Sequence, residues 1–370
     1  MKNTFIISMI LIFFEISCLY SEEIPSKDEF NIREFENSYK IRSGSELYEV
    51  VNNSPINYKI EKGDSTIFTD IVGEKFNSYV GNPYFILEKE EDGLISLETS
   101  EPQNEVSDLF VKAEQMLRNR EYEELIQNYE KALKLDESYF KTWTNLGDSY
   151  YLNGEYTKAI SYFQKAIELN EIGYQEYWFL ADTFYKLEEY DKALENITTA
   201  YMLNPHNENI IGSLTEILKV NNRYLVKNRT KFPFEINKQN EKKCILTYNE
   251  INGLNWIPFS LAFGIWKMEK EFVEIDQHYI QQGVANQIKY KEMLISQAAF
   301  IDSKLQEGKE VTDQEKLIYN IVNDGYLTEY ILWEIVERKM PSTILLLPKE
   351  NRERVFEYIS KFVFCEIERK

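Results

Sequence analysis

Four acidic residues stand at a constant spacing in the middle of this sequence. The numbers of Glu114, Asp148, Asp182 and Glu216 differ by 34 from each one to the next. Aromatic residues are interleaved with them: Phe110, Tyr151, Trp178 and Tyr185. Carboxylates and aromatic faces both attract lysine and arginine side chains, so this set predicts a site for a basic peptide with apolar anchors if the fold brings its members together. The alternative is that they are solvated positions of an acidic protein.

Catalytic chemistry has less support from the residue types. The two histidines, His206 and His278, have no metal-ligand spacing to each other or to a cysteine. The sequence contains no G-x-S-x-G motif, no phosphate-binding glycine loop and no C-x-x-C pair. We therefore predict a protein that is not an enzyme, with no cofactor and no metal. The alternative is a hydrolase or transferase whose site lies between the middle and the C-terminal regions of the chain.

The composition is that of a folded, acidic protein. Of the 370 residues, 43% are hydrophobic and 14% aromatic, which is enough for a sizeable core. The 62 acidic residues outnumber the 42 basic ones, and the formal net charge is -20. A field of this sign repels phosphate backbones and anionic lipid headgroups, so nucleic acid is excluded as a general partner.

The acidic residues belong to an internal repeat. Three columns of residue types recur with the same period of 34: Tyr122, Tyr156 and Tyr190; Ala132, Ala166 and Ala200; and the large apolar residues Tyr129, Phe163 and Ile197. Three columns in register are hard to obtain by accident, and such a period indicates a repeat architecture. Small residues in these columns allow helices to cross closely, and large ones fill the gaps between neighbours.

The middle copy carries the pattern W-x2-L-G-x2-Y and then A-x3-F, as Trp143, Leu146, Gly147, Tyr150, Ala159 and Phe163. The third copy has Tyr177, Leu180, Ala181, Phe184, Ala193, Ala200 and Pro205, and the looser first copy has Leu109, Ala113, Met116, Leu125, Tyr129 and Ala132. This pattern resembles the tetratricopeptide repeat, whose unit is two antiparallel helices. The resemblance covers residues 106–220 and implies a mainly α protein built on an α-solenoid, with a capping helix or half repeat at 207–220.

The resemblance also implies which residues face a ligand. In this family the second, fifth, ninth and twelfth positions of each first helix tend to line a concave groove. They are Ser107, Phe110, Glu114, Leu117, Lys141, Thr144, Asp148, Tyr151, Gln175, Trp178, Asp182 and Tyr185, with Glu216 in the capping helix. The predicted partner site is Phe110, Glu114, Lys141, Asp148, Tyr151, Trp178, Asp182, Tyr185 and Glu216. Some family members grip a chaperone carboxylate with lysine and asparagine, but this sequence has Phe110 and Glu114 there, which disfavours that partner.

The N-terminus, MKNTFIISMILIFFEISCLYSEE, has the composition of a secretory signal. Its apolar run from Phe5 to Phe14 is about ten residues long, too short to span a bilayer. We expect residues 1–21 to be removed on export to a bacterial periplasm or cell envelope. A second alternative is a lipid-anchored envelope assembly factor modified at Cys18, although Glu15 stands where the lipoprotein pattern prefers leucine. Only that lipid would bring the protein to a membrane.

The flanking regions have weaker patterns. In the N-terminal arm, 22–105, the segment Tyr84 to Thr99 predicts a β-hairpin, and 58–68 is a candidate for another. The arm is expected to be a small β unit or a loosely ordered segment. Residues 221–370 predict a C-terminal helical domain, with a basic stretch at 223–243 expected as an exposed loop or as a docking segment. Whether Cys244 and Cys365 pair is left open by their separation.

Overall fold

The computed structural model describes residues 32–72, 84–89, 95–226, 229–281 and 284–366. The chain divides into two compact units. Among the described residues, the first unit contains 84–89, 95–226 and 344–366, and the second contains 32–72, 229–281 and 284–343. The predicted signal segment 1–21, with Cys18, lies outside the described residues.

Helices form most of the described chain. The α-helices are α1 (Ile32–Ser38), α2 (Gly44–Asn53), α3 (Asn104–Asn119), α4 (Tyr122–Leu135), α5 (Phe140–Leu152), α6 (Tyr156–Leu169), α7 (Tyr174–Lys186), α8 (Tyr190–Leu203), α9 (Glu208–Val220), α10 (Ile257–Met268), α11 (Lys270–Gln281), α12 (Gln287–Gln306), α13 (Asp313–Asn323), α14 (Leu327–Tyr330), α15 (Glu337–Lys339) and α16 (Lys349–Tyr358). Short 3₁₀ segments occur at Gly253–Trp256 and Ile344–Leu346, and π-helical turns at Ile331–Val336 and Ile359–Val363.

The strands are short and belong to four small sheets. They are β1 (Asn57–Lys62), β2 (Thr69–Asp70), β3 (Phe85–Lys89), β4 (Ile95–Thr99), β5 (Arg223–Leu225), β6 (Lys231–Phe232), β7 (Phe234–Asn240), β8 (Lys243–Tyr248) and β9 (Phe364–Glu366). Strand β8 is central in a three-stranded sheet of order β1-β8-β7, and the others pair as β2-β6, β3-β4 and β5-β9.

The first unit is built on three consecutive helical hairpins, which confirms the predicted solenoid. Helices α3 and α4, α5 and α6, and α7 and α8 pack as pairs, and each pair packs on the next. The alanine column Ala132, Ala166 and Ala200 is 0% exposed, as small residues at helix crossings require. In the second pair, a Cβ on Gly147 would lie 2.8 Å from the Phe163 ring, so α5 and α6 approach too closely for a larger residue.

The same left-handed turn follows the first helix of every repeat. Arg120, Gly154, Glu188 and Asn222 have φ of 62°, 81°, 61° and 55°, and each lies one period after the last. Only Gly154 adopts this conformation without a Cβ penalty. Because Asn222 ends α9 as its counterparts end α3, α5 and α7, α9 is the first helix of a fourth repeat whose second helix is absent from the described chain.

The rest of the first unit comes from both ends of the chain. The hairpin predicted at Tyr84 to Thr99 is confirmed as antiparallel β3 and β4. It is held to the repeats by the Asn170 side-chain amide, which donates to the Phe85 carbonyl at 2.9 Å. At the other end β9 pairs antiparallel with β5. The described residues 84–89, 95–99 and 344–366 belong to the same unit as the repeats, so the domain boundaries predicted at 105 and 221 need correction.

The second unit combines helices with the β1-β8-β7 sheet. The second hairpin suggested for 58–68 is wrong: Asn57–Lys62 pairs in parallel with Lys243–Tyr248, and β8 pairs antiparallel with β7. The basic stretch is likewise not one exposed loop, since it supplies β5, β6 and β7 and buries Phe232 and Phe234. Sheet pairing was not predicted for this region, although its helical character was, and a capping box of Thr312 and Glu315 opens α13.

Aromatic residues and a buried carboxylate organise the core of the second unit. Phe232 stacks on Phe259 with 4.5 Å between ring centroids, and Trp256 packs beside them. The buried Glu292 accepts hydrogen bonds from the Tyr39 hydroxyl at 2.9 Å, the Arg42 backbone N–H at 2.9 Å and Trp266 Nε1 at 3.0 Å. A buried carboxylate satisfied in this way fixes the packing of the segments that supply its donors.

Candidate functional site

The four acidic positions lie on the first helices of successive repeats. Glu114 is on α3, Asp148 on α5, Asp182 on α7 and Glu216 on α9. Glu114 and Glu216 are exposed, whereas Asp148 and Asp182 are partly buried. The two inner carboxylates therefore differ in environment from the two outer ones, although all four occupy the same position in the repeat.

Burial perturbs both inner carboxylates in the same direction. It raises the pKa of Asp148 to about 6. It also raises the pKa of Asp182 to about 6, and there a hydrogen bond from Ser213, the charge of Lys186 and a hydrogen bond from Trp178 oppose it in part. A low-dielectric surrounding disfavours the charged form of a carboxyl group. Perturbed acids of this kind are concentrated at functional sites, although structural networks also produce them.

A tyrosine connects the two inner carboxylates. Burial raises the pKa of Tyr151 to about 12, and the negative charges of Asp182 and Asp148 contribute to the shift, so both act on its hydroxyl. The ring of Tyr151 also contacts Tyr156, with 5.4 Å between centroids and 56° between planes. Tyr185 and Tyr190, one period later, repeat this contact at 5.7 Å and 57°. The surface therefore repeats an acid and an aromatic pair from one repeat to the next.

A pocket of about 320 Å³ opens at the C-terminal end of this surface. We call it the groove pocket; Tyr151 of α5, Asp182, Tyr185 and Lys186 of α7, and Gly212, Ser213, Glu216 and Ile217 of α9 line it. Four of these residues, Tyr151, Asp182, Tyr185 and Glu216, were predicted from the sequence as partner-binding positions. The structure thus brings residues from two repeats and the half repeat together around one depression.

Trp178 supports the pocket rather than lining it. Its Nε1 donates to the Ser213 hydroxyl at 2.9 Å, and its ring packs on Phe179 with 5.2 Å between centroids. Ser213 in turn hydrogen-bonds to Asp182, so Trp178 supports the Asp182 carboxylate through Ser213. The predicted contact of Trp178 with a partner stays a prediction, and the structure adds a positioning role through Ser213.

Gly212 and Ser213 were not among the predicted site residues, yet the 34-residue period gives a signal for Gly212. Gly212 lies one period after Trp178 and therefore occupies the fifth position of α9, a predicted groove position. A Cβ at Gly212 would meet nothing within 4 Å. Extending the groove positions into the half repeat would have shown that a bulky residue is replaced there by glycine, which leaves the pocket open.

Lys141 is the predicted site residue that the structure corrects most clearly. It is 2% exposed and forms an ion pair with Glu176, with Nζ 2.8 Å from Oε1. Nζ also donates to Gln175 at 2.8 Å, and the Thr144 hydroxyl donates to the same Glu176 oxygen at 2.6 Å. Burial lowers the pKa of Lys141, and the charge of Glu176 and its hydrogen bond oppose this. Lys141 is therefore occupied within the protein, because a buried ammonium requires its own counter-ion.

The aromatic rings near Lys141 and in the first repeat also pack against other residues of the protein. Nζ of Lys141 lies 5.5 Å from the centroid of Tyr84, just before β3, and 4.9 Å from that of Phe140. Phe110 packs against Tyr129 and Tyr139 with centroid separations of 5.3 and 5.7 Å. Lys141 is thus buried in the protein, and the partly buried Phe110 packs against the core of the first repeat.

The described residues contain no group of three or more histidine, cysteine, aspartate or glutamate side chains that could hold a metal ion. His206 is exposed in the turn before α9, and His278 is half-buried on α11. Cys244 and Cys365, whose pairing was left open, are both free thiols. Within the part of the chain that is described, no helix is long and apolar enough to cross a membrane.

Comparison with protein families identifies the repeats. The model described as "Tetratricopeptide repeat" matches residues 140–171, and that described as "TPR repeat" matches residues 120–154. The chain therefore contains tetratricopeptide repeats, and the matched residues cover α4, α5 and α6. No curated protein matches the chain.

Solved structures of repeat domains are similar to part of this chain. The first such repeat domain of Spaghetti (RPAP3), bound to the HSP90 peptide SRMEEVD, is 21% identical with a TM-score of 0.30, and the match covers 31% of this chain and 91% of that one. The Arabidopsis OM64 domain is 16% identical with a TM-score of 0.30, covering 31% and 94%. The Yersinia enterocolitica chaperone SycD in complex with a YopD peptide is 16% identical with a TM-score of 0.30, covering 32% and 95%.

Proposed function

We propose that the tetratricopeptide repeats of this chain form a non-catalytic scaffold that binds a segment of another protein. Tetratricopeptide-repeat proteins are protein-interaction scaffolds, and their stacked helices present a continuous binding surface. The segment would lie across the ends of α5, α7 and α9, in contact with Asp148, Tyr151, Asp182, Tyr185 and Glu216.

The observation that carries this proposal is the groove pocket together with the raised pKa values of Asp182, which lines it, and of Asp148, one repeat earlier. Asp148 and Asp182 sit where their charge is disfavoured, so the folded protein is less stable with them than with neutral residues of the same shape. A cationic partner would supply the missing counter-charge. The surface also continues along the array, because equivalent residues follow one another from repeat to repeat, which suits an extended or helical segment.

The test uses a photo-crosslinking amino acid in the groove. The crosslinker replaces Tyr185 in one variant and the exposed Glu195 of α8 in a matched control. We expect the Tyr185 variant to crosslink a protein that the Glu195 variant does not. The captured protein is then purified and its affinity for the unlabelled chain is measured by titration calorimetry.

Charge reversal then tests the surface directly. Asp148→Lys with Asp182→Lys should weaken binding of the purified partner by at least about 100-fold, because each substitution removes an attraction and adds a repulsion. The control Asp191→Lys with Glu195→Lys changes the same net charge at exposed positions of α8. Equal weakening by both pairs, or unchanged affinity with the groove pair at unchanged helicity, would remove the groove as the binding site.

We also propose export to a bacterial cell envelope, on the composition of residues 1–21. The mass of the mature protein tests it: cleavage near Ser21 is expected, and acyl chains on Cys18 would instead indicate the lipid-anchored form. The intact N-terminus in protein from the native source would contradict both.

A further inference from the structure

The groove pocket has a more specific chemistry than a general peptide surface. Two carboxylates, Asp182 and Glu216, line it together with a single cation, Lys186. Tyr151 and Tyr185 supply its aromatic walls, and on the α9 side Gly212 contributes no side chain. The charge around the pocket is therefore net negative, and the tyrosine rings and Ile217 supply apolar surface.

We propose that the groove pocket takes one lysine or arginine side chain of the bound segment. This inference rests on the proposed function and names the partner residue that the site would select. Asp182 would receive the ammonium or guanidinium group in an ion pair, with Glu216 contributing charge from the exposed side. The tyrosine rings would pack along the methylene stem or face the cation.

The size of the pocket agrees with a single side chain. A volume of about 320 Å³ is at the lower end of the range for small-molecule pockets. It is too small for a folded element and large enough for one long side chain with its solvation. Gly212 contributes to this space, because a side chain at that position would project from α9 with nothing within 4 Å of its Cβ.

Asp182 is held ready for a cation before the partner arrives. Ser213 on the neighbouring helix hydrogen-bonds to its carboxylate and is itself the acceptor of the Trp178 Nε1–H bond at 2.9 Å. A preorganised carboxylate loses little side-chain freedom on binding, which favours selection of a charged ligand. The nearby Lys186 competes weakly, because it is exposed.

This arrangement makes recognition dependent on pH. The charged or titratable groups that line the pocket or act on Asp182 are Tyr151 from α5, Tyr185 and Lys186 from α7, and Glu216 from α9. The pKa of Asp182 is about 6 in the free protein, so it is mostly neutral at pH 5 and charged above pH 7. A cation binds only the charged form strongly, and affinity should therefore rise between these two values and level off above them.

The experiment selects 12-residue peptides from a random displayed library on the full chain at pH 7.5. The expected result is enrichment of lysine or arginine at a fixed distance from an apolar residue. Replacing that residue by norleucine in a synthetic peptide should weaken binding by about 10- to 100-fold, the value of a hydrogen bond to a charged group. Asp182→Asn should remove most of this discrimination, whereas the exposed matched control Asp191→Asn should keep it.

A matched pair of variants at Gly212 separates the loss of the pocket from an effect on folding. Gly212→Ala and Gly212→Leu both favour the helix, but only leucine fills the pocket, so only Gly212→Leu should lose the preference for a basic residue. Peptides that depend on Asp148 and Tyr151 without any basic preference would overturn this inference and leave the proposed function standing. Failure to select any peptide whose binding depends on these groove residues would overturn both.

Discussion

Two rows of equivalent residues run along the first helices of the repeats, and they are used differently. The row near the helix starts contains Lys141 and Gln175, and the Lys141 ammonium donates hydrogen bonds both to Gln175 and to the buried Glu176. The row near the helix ends contains Asp148 and Asp182, whose carboxyl groups are partly buried and destabilised. The 34-residue period determines which residues share a surface. Neighbouring segments of the chain determine whether those residues already have partners within the protein.

The hairpin of β3 and β4 accounts for part of this difference. It is tied to the loop before α7 through Asn170 and Phe85, and Tyr84 faces Lys141. In the row near the helix ends, the lining described for the groove pocket comes from α5, α7 and α9 and includes no residue of this hairpin. The first row stabilises the fold, and the second row carries the charge that a partner would neutralise.

Breaking the buried ion pair should have the largest effect. Lys141→Met leaves Glu176 charged and buried, and should cost about 3–5 kcal/mol of unfolding free energy. The double variant Lys141→Met with Glu176→Leu removes both charges and should recover much of that loss, since buried ion pairs are often replaceable by apolar residues. Urea unfolding of the two single variants and the double variant measures the coupling.

A double variant as unstable as the sum of the singles would contradict this account of the first row. It would mean that Lys141 and Glu176 contribute through separate contacts, such as the Thr144 hydroxyl bond to Glu176. An exposed pair, Lys165 and Glu168 of α6, is the control and should contribute no more than about 1 kcal/mol.

Removing the charge of Asp148, in the row near the helix ends, should have an effect of intermediate size. It should raise the stability of the fold rather than lower it. The folded-state pKa of Asp148 is about 6, above its ordinary value of 3.8, so the unfolded chain loses its proton first as pH rises. Stability therefore falls between about pH 4 and pH 6 and stays lower above that range. Asp148→Asn should stabilise the fold by about 1–3 kcal/mol at pH 7.5 and by little at pH 4.

The measurement is the free energy of unfolding from denaturant titrations across this pH range. Asp191→Asn, at an exposed position of α8, should show no such pH dependence. A destabilising Asp148→Asn at pH 7.5 would show that the carboxylate has a stabilising contact inside the protein, and the two rows would then no longer differ in kind.

Substitutions in the left-handed turns that follow the first helices should change the stability of the fold less. These turns belong to the helices that carry both rows. Gly154→Ala places a Cβ in the left-handed region at φ 81° and should cost about 1 kcal/mol. Glu188→Gly relieves the same strain one repeat later and should gain about 0.5 kcal/mol after the added freedom of the unfolded chain is counted. Thermal unfolding of both variants tests the signs; like signs would show that the turns are not equivalent.

Much of the solenoid was predictable because its contacts are local. The alanine column and the Tyr84 to Thr99 hairpin depend on residues within one or two periods of each other. The parallel pairing of Asn57–Lys62 with Lys243–Tyr248 was not predictable in this way, since its partner is far away in sequence and either strand alone fits several pairings.

The candidate site was predicted in part for a related reason. The period identified Tyr151, Asp182, Tyr185 and Glu216, all of which line the groove pocket. The period placed Lys141 in the site wrongly, because the role of Lys141 depends on its ion pair with Glu176. Glu176 lies outside the groove positions, and the residue one period earlier, Thr142, is not acidic. A repeat pattern shows only what its copies have in common. The role of a residue that occurs in one copy alone has to be read from its contacts in the structure.

The turn at Asn222 has a consequence for how this array can change in length. There the fourth repeat stops after one helix, and the next residues form β5, which pairs with β9 and leads Phe364 to the Tyr201 ring of α8. One further whole repeat inserted between Gly154 and Glu188 would keep every later helix in phase. The same insertion after Asn222 would separate β5 from the last helix it packs on. The array is thus extensible from within and closed at its C-terminal end.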